Sequence, residues 1–248
     1  MSAFVRAELL KVRTTRGWWA YLIVIVLITG IAAAGQVGSA TSEERETTTF
    51  MTDLVGTVGL SGLLALILGI TIVTTEFRHG TITPTFLAAP RRDLVVAAKS
   101  IATTLVGLGF ALLSLLVVAL VAIPWLAIVD ATAELDGDVA TRLAEQFLSI
   151  ALSGLIGVAI GLVVHNQVAA LVGTLIWIFV VENLLWGLFA LLDIDAAVQY
   201  LPFRALNATG GSGGEQTLSY GPGVAVSIAW IALIGAAGVV RTRRRDIT

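Results

Sequence analysis

The sequence predicts an all-α integral membrane protein with six transmembrane helices. Three observations carry this: composition, the length of its apolar runs, and the placement of its charges. The 248 residues are 57% hydrophobic and only 13% charged, with a mean hydropathy of +0.93. A soluble domain of this length would carry about twice the charge. Crossing a hydrocarbon core of about 30 Å takes about 20 apolar residues in a helix. Spans are expected at 18–35, 54–75, 100–126, 147–164, 168–192 and 224–240, in a single transmembrane domain covering 1–248.

The first span follows a polar lead of seventeen residues. Its apolar run exceeds a signal-peptide core, so it is expected to be retained despite the small residues Val37 to Ala40. The lead itself, 1–17, mixes apolar and basic residues as an interfacial helix does, and Trp18, Trp19 and Tyr21 fall where an aromatic belt belongs. The third apolar run, Leu94 to Val129, is too long for one crossing. With no polar turn inside it, it reads as a lead-in from Leu94 and a single span that bends near Pro124. Only His165-Asn166-Gln167 separates the fourth and fifth spans, a tight connection.

The charges orient the bundle. Arg6, Lys11, Arg13 and Arg16 precede span 1. Arg78, Arg91, Arg92 and Lys99 lie between spans 2 and 3, and Arg241, Arg243, Arg244 and Arg245 follow span 6. Twelve of fifteen basic residues thus fall on one side, while the opposite loops are rich in Asp and Glu. Both termini are expected in the cytoplasm, at the plasma membrane. The basic clusters read as topology determinants and contacts with anionic membrane lipids, not as nucleic-acid sites.

No chemistry of its own is visible in the chain. There are no cysteines, and two histidines, His79 and His165, are too few for a histidine metal site. Gly210 to Gly214 is glycine-rich, but no Gly-Lys-Ser/Thr follows and no strand precedes, so it reads as a loop. No catalytic residue, metal or cofactor is expected in this chain. Glu182 is the ionisable residue inside a span, with Asn183 beside it. At mid-bilayer an ionised carboxylate costs about 2.5 to 3.5 kcal/mol on insertion scales, so it must face protein or water. Two roles stay open: lining a pathway, or locking helices together by hydrogen bonds. Gly157 and Gly161, and Gly56, Gly59 and Gly62, are spaced for close helix packing. In the long connection after span 5, Ala196 to Phe203 is expected to form a short helix at the outer interface.

The most informative segment is the loop 76–99. Gly80 suits a helix end in the left-handed conformation, Thr83 suits an N-cap, Pro84 suits the first helical position, and Pro90 stops the new helix. A two-turn helix carrying Phe86 and Leu87 is unstable alone and calls for a partner that covers it. The order Glu76, Arg78, Gly80-Thr81, a proline-containing turn, Arg91-Arg92 and Lys99 resembles the loop between the second and third spans of type-2 ATP-binding-cassette (ABC) exporter permeases. It departs from the commoner form in having Thr83-Pro84-Thr85 where an acidic residue and a leucine often follow Gly-Thr.

The resemblance implies that this loop is a coupling helix seated in a cytosolic ABC ATPase subunit, contacted through Glu76, Arg78, Gly80, Thr81, Thr83, Pro84, Thr85, Phe86, Leu87 and Arg91. It also implies that 1–17, with Arg6, Glu8, Lys11, Arg13 and Arg16, is a connecting helix along the cytoplasmic surface. ATP and Mg would be bound by the partner ATPase. A second permease subunit would complete an exporter for an amphipathic substrate such as a drug, antibiotic peptide or lipid. The alternative is a non-transporting sensory, structural or immunity protein on the same scaffold.

Overall fold

A computed structural model describes residues 1–15, 17–81, 92–129, 136–211 and 217–243, and every regular element among them is helical. The chain runs α1 (Ser2–Thr14), α2 (Trp18–Ser39), α3 (Ser42–Arg45), α4 (Thr48–Gly56), α5 (Ser61–Arg78), α6 (Arg92–Ile128), α7 (Gly137–Val163), α8 (Gln167–Ile176), α9 (Glu182–Leu191), α10 (Pro202–Thr209) and α11 (Tyr220–Arg243). A 3-10 turn, Thr57–Leu60, joins α4 to α5, and a π-helical turn, Trp177–Val181, joins α8 to α9. Among the described residues, six helical stretches are long and apolar enough to cross a membrane: Trp18–Ser39, Thr48–Arg78, Asp93–Ile128, Gly137–Val163, Gln167–Leu191 and Tyr220–Thr242.

Each expected span overlaps one of these six helical stretches, with shifted ends. The second begins at Thr48 instead of 54, because Thr47 caps α4 by accepting a hydrogen bond from Phe50 N–H and the 3-10 turn continues the rod. The fourth begins at Gly137 instead of 147. Asp136 accepts from the Asp138 and Val139 amides, and Val139 and Gln146 face the interior, so this polar-looking stretch is one helix with the span. The lead-in at Leu94 is likewise continuous with α6, which passes through Pro124. Of the segment assigned to the loop, 76–99, the residues up to Arg78 and those from Arg92 on are helical. The break between spans 4 and 5 falls at Val164 to Asn166, where Asn166 caps α8 through the Ala169 amide.

The centre of the bundle is the pair α5 and α7, with more than half of each span buried. Glycines let these backbones touch. A Cβ on Gly69 would collide with Gly154 O, and one on Gly157 would collide with Leu66 O. One on Gly161 would lie 2.9 Å from Val73 Cβ and 3.0 Å from Ile70 O. The spacing of Gly157 and Gly161 is thus used as the sequence suggests. Gly59 makes room for the buried Gln146 and Gly62 for Ser153. The spans α2, α8–α9 and α11 are mostly exposed, as helices facing lipid are.

The connection after span 5 differs from expectation in place and depth. Asp195–Tyr200 forms a 3-10 helix, and the α-helix α10 follows it, starting where the sequence reading had the helix ending. Pro202 sits in its first turn, where a missing N–H costs nothing. α10 does not lie on the surface: Pro202, Phe203, Ala205, Leu206, Ala208 and Thr209 are buried. Gln146 Nε2 donates to Gly210 O (2.7 Å), closing its C-terminal end against α7.

Candidate functional site

Among the described residues, the densest polar structure is a cluster of four charges, three of them buried and Lys11 half exposed, where α1, the end of α5 and the start of α6 meet. Lys99 lies one residue before the apolar body of its span and is 2% exposed, while Glu8 and Glu76 are 4% and 6% exposed. Lys99 Nζ donates to Glu8 Oε2 (2.8 Å) and to Ile72 O (3.1 Å), and lies 3.0 Å from Glu76 Oε1. Lys11 Nζ donates to Glu8 Oε1 (2.7 Å) and Glu76 Oε1 (2.6 Å). Two carboxylates and two ammonium groups alternate, so the cluster is neutral as a whole. A buried charge is tolerated only when its partners replace water with good geometry, and here each ammonium has two carboxylate partners.

Local sequence explains how each group arrives. Glu8 and Lys11 are one turn apart on α1, and Glu8 and Val12 form its buried stripe. Glu76 is in the last turn of α5, which His79 closes and Gly80 leaves at φ +68°. Burial works against the Lys11 ammonium, but the hydrogen bonds it donates to Glu76 and Glu8, and the charges of those carboxylates, outweigh it and raise its pKa above the ordinary 10.5.

A cleft of about 330 Å³ opens beside the cluster, lined among others by Glu8, Lys11, Trp18, Tyr21, Ile72 and Glu76. Tyr21 stacks on Phe110 and shares a hydrogen bond with Thr71 (3.3 Å). Further round the same end, Arg78 Nη1 donates to Gln167 Oε1 (3.2 Å), Phe77 stacks on His165 at 3.9 Å, and Arg241 Nη1 donates to Val163 O (2.6 Å). The helix ends that flank 79–91, α1, the span 4 to 5 connection and the end of α11 therefore share one end of the bundle.

Of the residues singled out in the sequence, Glu8, Lys11 and Glu76 meet in the cluster, and Arg78 braces the neighbouring connection. Arg6, Arg13, Gly80 and Thr81 are exposed around it. Arg16, Thr83, Pro84, Thr85, Phe86, Leu87 and Arg91 lie outside the described residues. Glu182 and Asn183 are far along span 5. Glu182 Oε1 accepts from Trp177 Nε1 (3.1 Å) and from Phe203 N–H (2.9 Å), holding the first turn of α10 against the π-helical turn. Those bonds are the helix-locking arrangement, and the carboxylate is 3% exposed. In the sequence Lys99 reads as part of the basic side and of the loop pattern, with no buried partner assigned to it. The missed signal was a lone cation followed by an apolar helix, which demands a buried partner.

Among the described residues, no group of three or more His, Cys, Asp or Glu side chains is placed to hold a metal ion. The fold defines a multi-pass helical membrane protein. The chain belongs to the family described as protein of unknown function DUF2705, whose model matches residues 22–248. No curated protein matches the sequence.

Proposed function

We propose that this chain is the membrane subunit of an ABC exporter, coupled to separate cytosolic ATPase subunits that bind ATP and Mg. The observation that carries the reading is the four-charge cluster. It ties both stems of the 79–91 loop to each other, through Glu76 and Lys99, and ties both to α1 through Glu8 and Lys11. A force applied to the loop is then passed to spans 2 and 3 together and does not dissipate in their ends.

In this reading both termini are cytoplasmic, α1 is the connecting helix, and Gly80 to Leu87 with Arg91 seats in the ATPase. Closure of the ATPase dimer moves the loop, and the spans of two permease subunits switch between inward and outward access. The cargo is an amphipathic molecule moved across the plasma membrane.

The test uses the absence of cysteine from the chain. A single cysteine at Phe86, carrying a short photo-crosslinker in native membranes, is expected to capture a cytosolic nucleotide-binding subunit. Capture of lipid or of this chain alone, with ATPase candidates present, would overturn the proposal in favour of a non-transporting protein.

A further inference from the structure

Span 5 is built from two helices that rest on different parts of the molecule. α8 packs on α5 and α7, and its Ala170 and Leu171 join the apolar core there, as does Ile178 of the π-helical turn. α9 packs instead on the 3-10 helix Asp195–Tyr200. None of its apolar side chains belongs to the core, and its one buried residue is Glu182. The π-helical turn Trp177–Val181 lies between the two helices and buries no residue of its own. Such a turn widens the hydrogen-bond ladder and is a place where a helix bends. At its far end α9 stops in a second joint, Leu192 to Ile194. There Asp193 takes φ +55°, a left-handed backbone that favours glycine, and Phe189 O accepts from the Ile194 amide (3.0 Å).

What holds α9 is a polar clasp from the first turn of α10, a helix fixed on α7 and α11. Glu182 Oε1 accepts from Trp177 Nε1 and from Phe203 N–H, and the Arg204 amide and guanidinium charge act on the same carboxylate. Asn183 Nδ2 donates to Phe179 O (3.0 Å), a carbonyl of the π-helical turn, while Arg204 Nη2 donates to Asn183 Oδ1 (3.1 Å). Arg204 Cζ lies 5.9 Å from the centroid of the Trp186 ring. A few directional contacts therefore secure α9, whereas α5 and α7 interlock backbone against backbone. Contacts of that kind open as a local unit while the core stays closed.

We propose that α9 is a movable lever. It swings as a rigid helix about the π-helical turn and the Asp193 joint, and the clasp formed by Glu182, Asn183 and Arg204 holds it in the observed closed position. The device follows from helix packing alone and stands whether or not the chain transports anything.

The absence of cysteine from the chain allows paired spin labels at introduced cysteines. One pair joins Leu112 of α6 to Leu188 of α9, and the other joins Leu112 to Val168 in the first turn of α8; all three side chains are exposed. A ten-residue helix is about 15 Å long, so a swing of about 20° moves its far end by about 5 Å. In Asn183→Leu and in Glu182→Leu, pulsed electron resonance is expected to find the Leu112–Leu188 distance shifted or broadened by about that amount. The Leu112–Val168 distance keeps its wild-type value. A shift of both pairs together would make span 5 one rigid rod and overturns the proposal, and so do unchanged distances in both variants. Should neither variant fold, hydrogen exchange of the wild type decides: amides of the π-helical turn are expected to exchange about tenfold faster than those of α8. Equal protection across the turn and α8 overturns the hinge.

Discussion

Lys99 Nζ lies 2.8 Å from Glu8 Oε2 although 91 residues separate them in the chain. The contact joins the N-terminal helix to the start of span 3, and Glu76 of span 2 completes it from the other side. The amphipathic segment α1 is consequently built into the bundle and does not rest on lipid alone.

Replacing Lys99 by methionine keeps most of the volume and removes the charge. Glu8 and Glu76 then share Lys11 alone, and Lys11 is half exposed. The expected loss is about 3 to 5 kcal/mol of unfolding free energy, the range for breaking a buried ion pair from one side. The double variant Glu8→Gln, Lys99→Met should lose less than the sum of its singles, by about 1 to 3 kcal/mol. Denaturant titration of the four proteins in the same detergent measures this. Strict additivity would show that Glu8 and Lys99 do not interact.

The contribution of Lys11 has a defined pH window. Its folded pKa is raised above the ordinary 10.5, so its stabilising effect is fully present below that value and is lost as pH rises through the folded one. The difference in stability between the wild type and Lys11→Gln should stay constant from about pH 6 to 9 and close only above about pH 10.5. Thermal unfolding of both proteins across this range reads it directly. A gap that closed near pH 8 would place the ammonium in a weaker environment than the one seen.

The number and type of spans were legible because each apolar run is long enough to cross a bilayer and polar breaks separate all of them. Their ends were not. Val139 and Gln146 lie in a stretch too polar to read as span, yet one face of it is buried. The short helix expected over Ala196 to Phe203 placed Pro202 near its end, whereas its surroundings make it a helix start. At the charge cluster, Glu8, Lys11 and Glu76 were each visible as candidates, assigned to the surface or to a partner. Their mutual pairing depends on elements 65 and 91 residues apart being brought together, and no local pattern encodes that.

Close packing of α5 on α7 predicts a sharp contrast between glycines. Gly157→Ala places a methyl against the backbone oxygen of Leu66, which cannot rotate away, so the helices must separate. Overpacking of this kind costs about 1 to 3 kcal/mol. Gly173→Ala, on lipid-facing α8, meets no heavy atom within 4 Å and should be neutral or slightly stabilising through helix propensity. Parallel unfolding measurements check the pair. Equal effects would mean that the α5 and α7 backbones do not touch as described.

Glu182 separates a hydrogen-bonding role from a charge role. A single oxygen, Oε1, accepts from both Trp177 Nε1 and Phe203 N–H, and the amide oxygen of glutamine can do the same. Glu182→Gln should therefore leave α10 in place, with little change in unfolding temperature or in hydrogen-exchange protection of the Phe203 amide. Glu182→Leu strands two buried donors, at about 1 to 3 kcal/mol, and should expose α10 to exchange and to proteolysis. If Glu182→Gln proves as damaging as Glu182→Leu, the negative charge itself is required. The residue would then belong to a proton or substrate pathway, since the lock it forms needs only an acceptor.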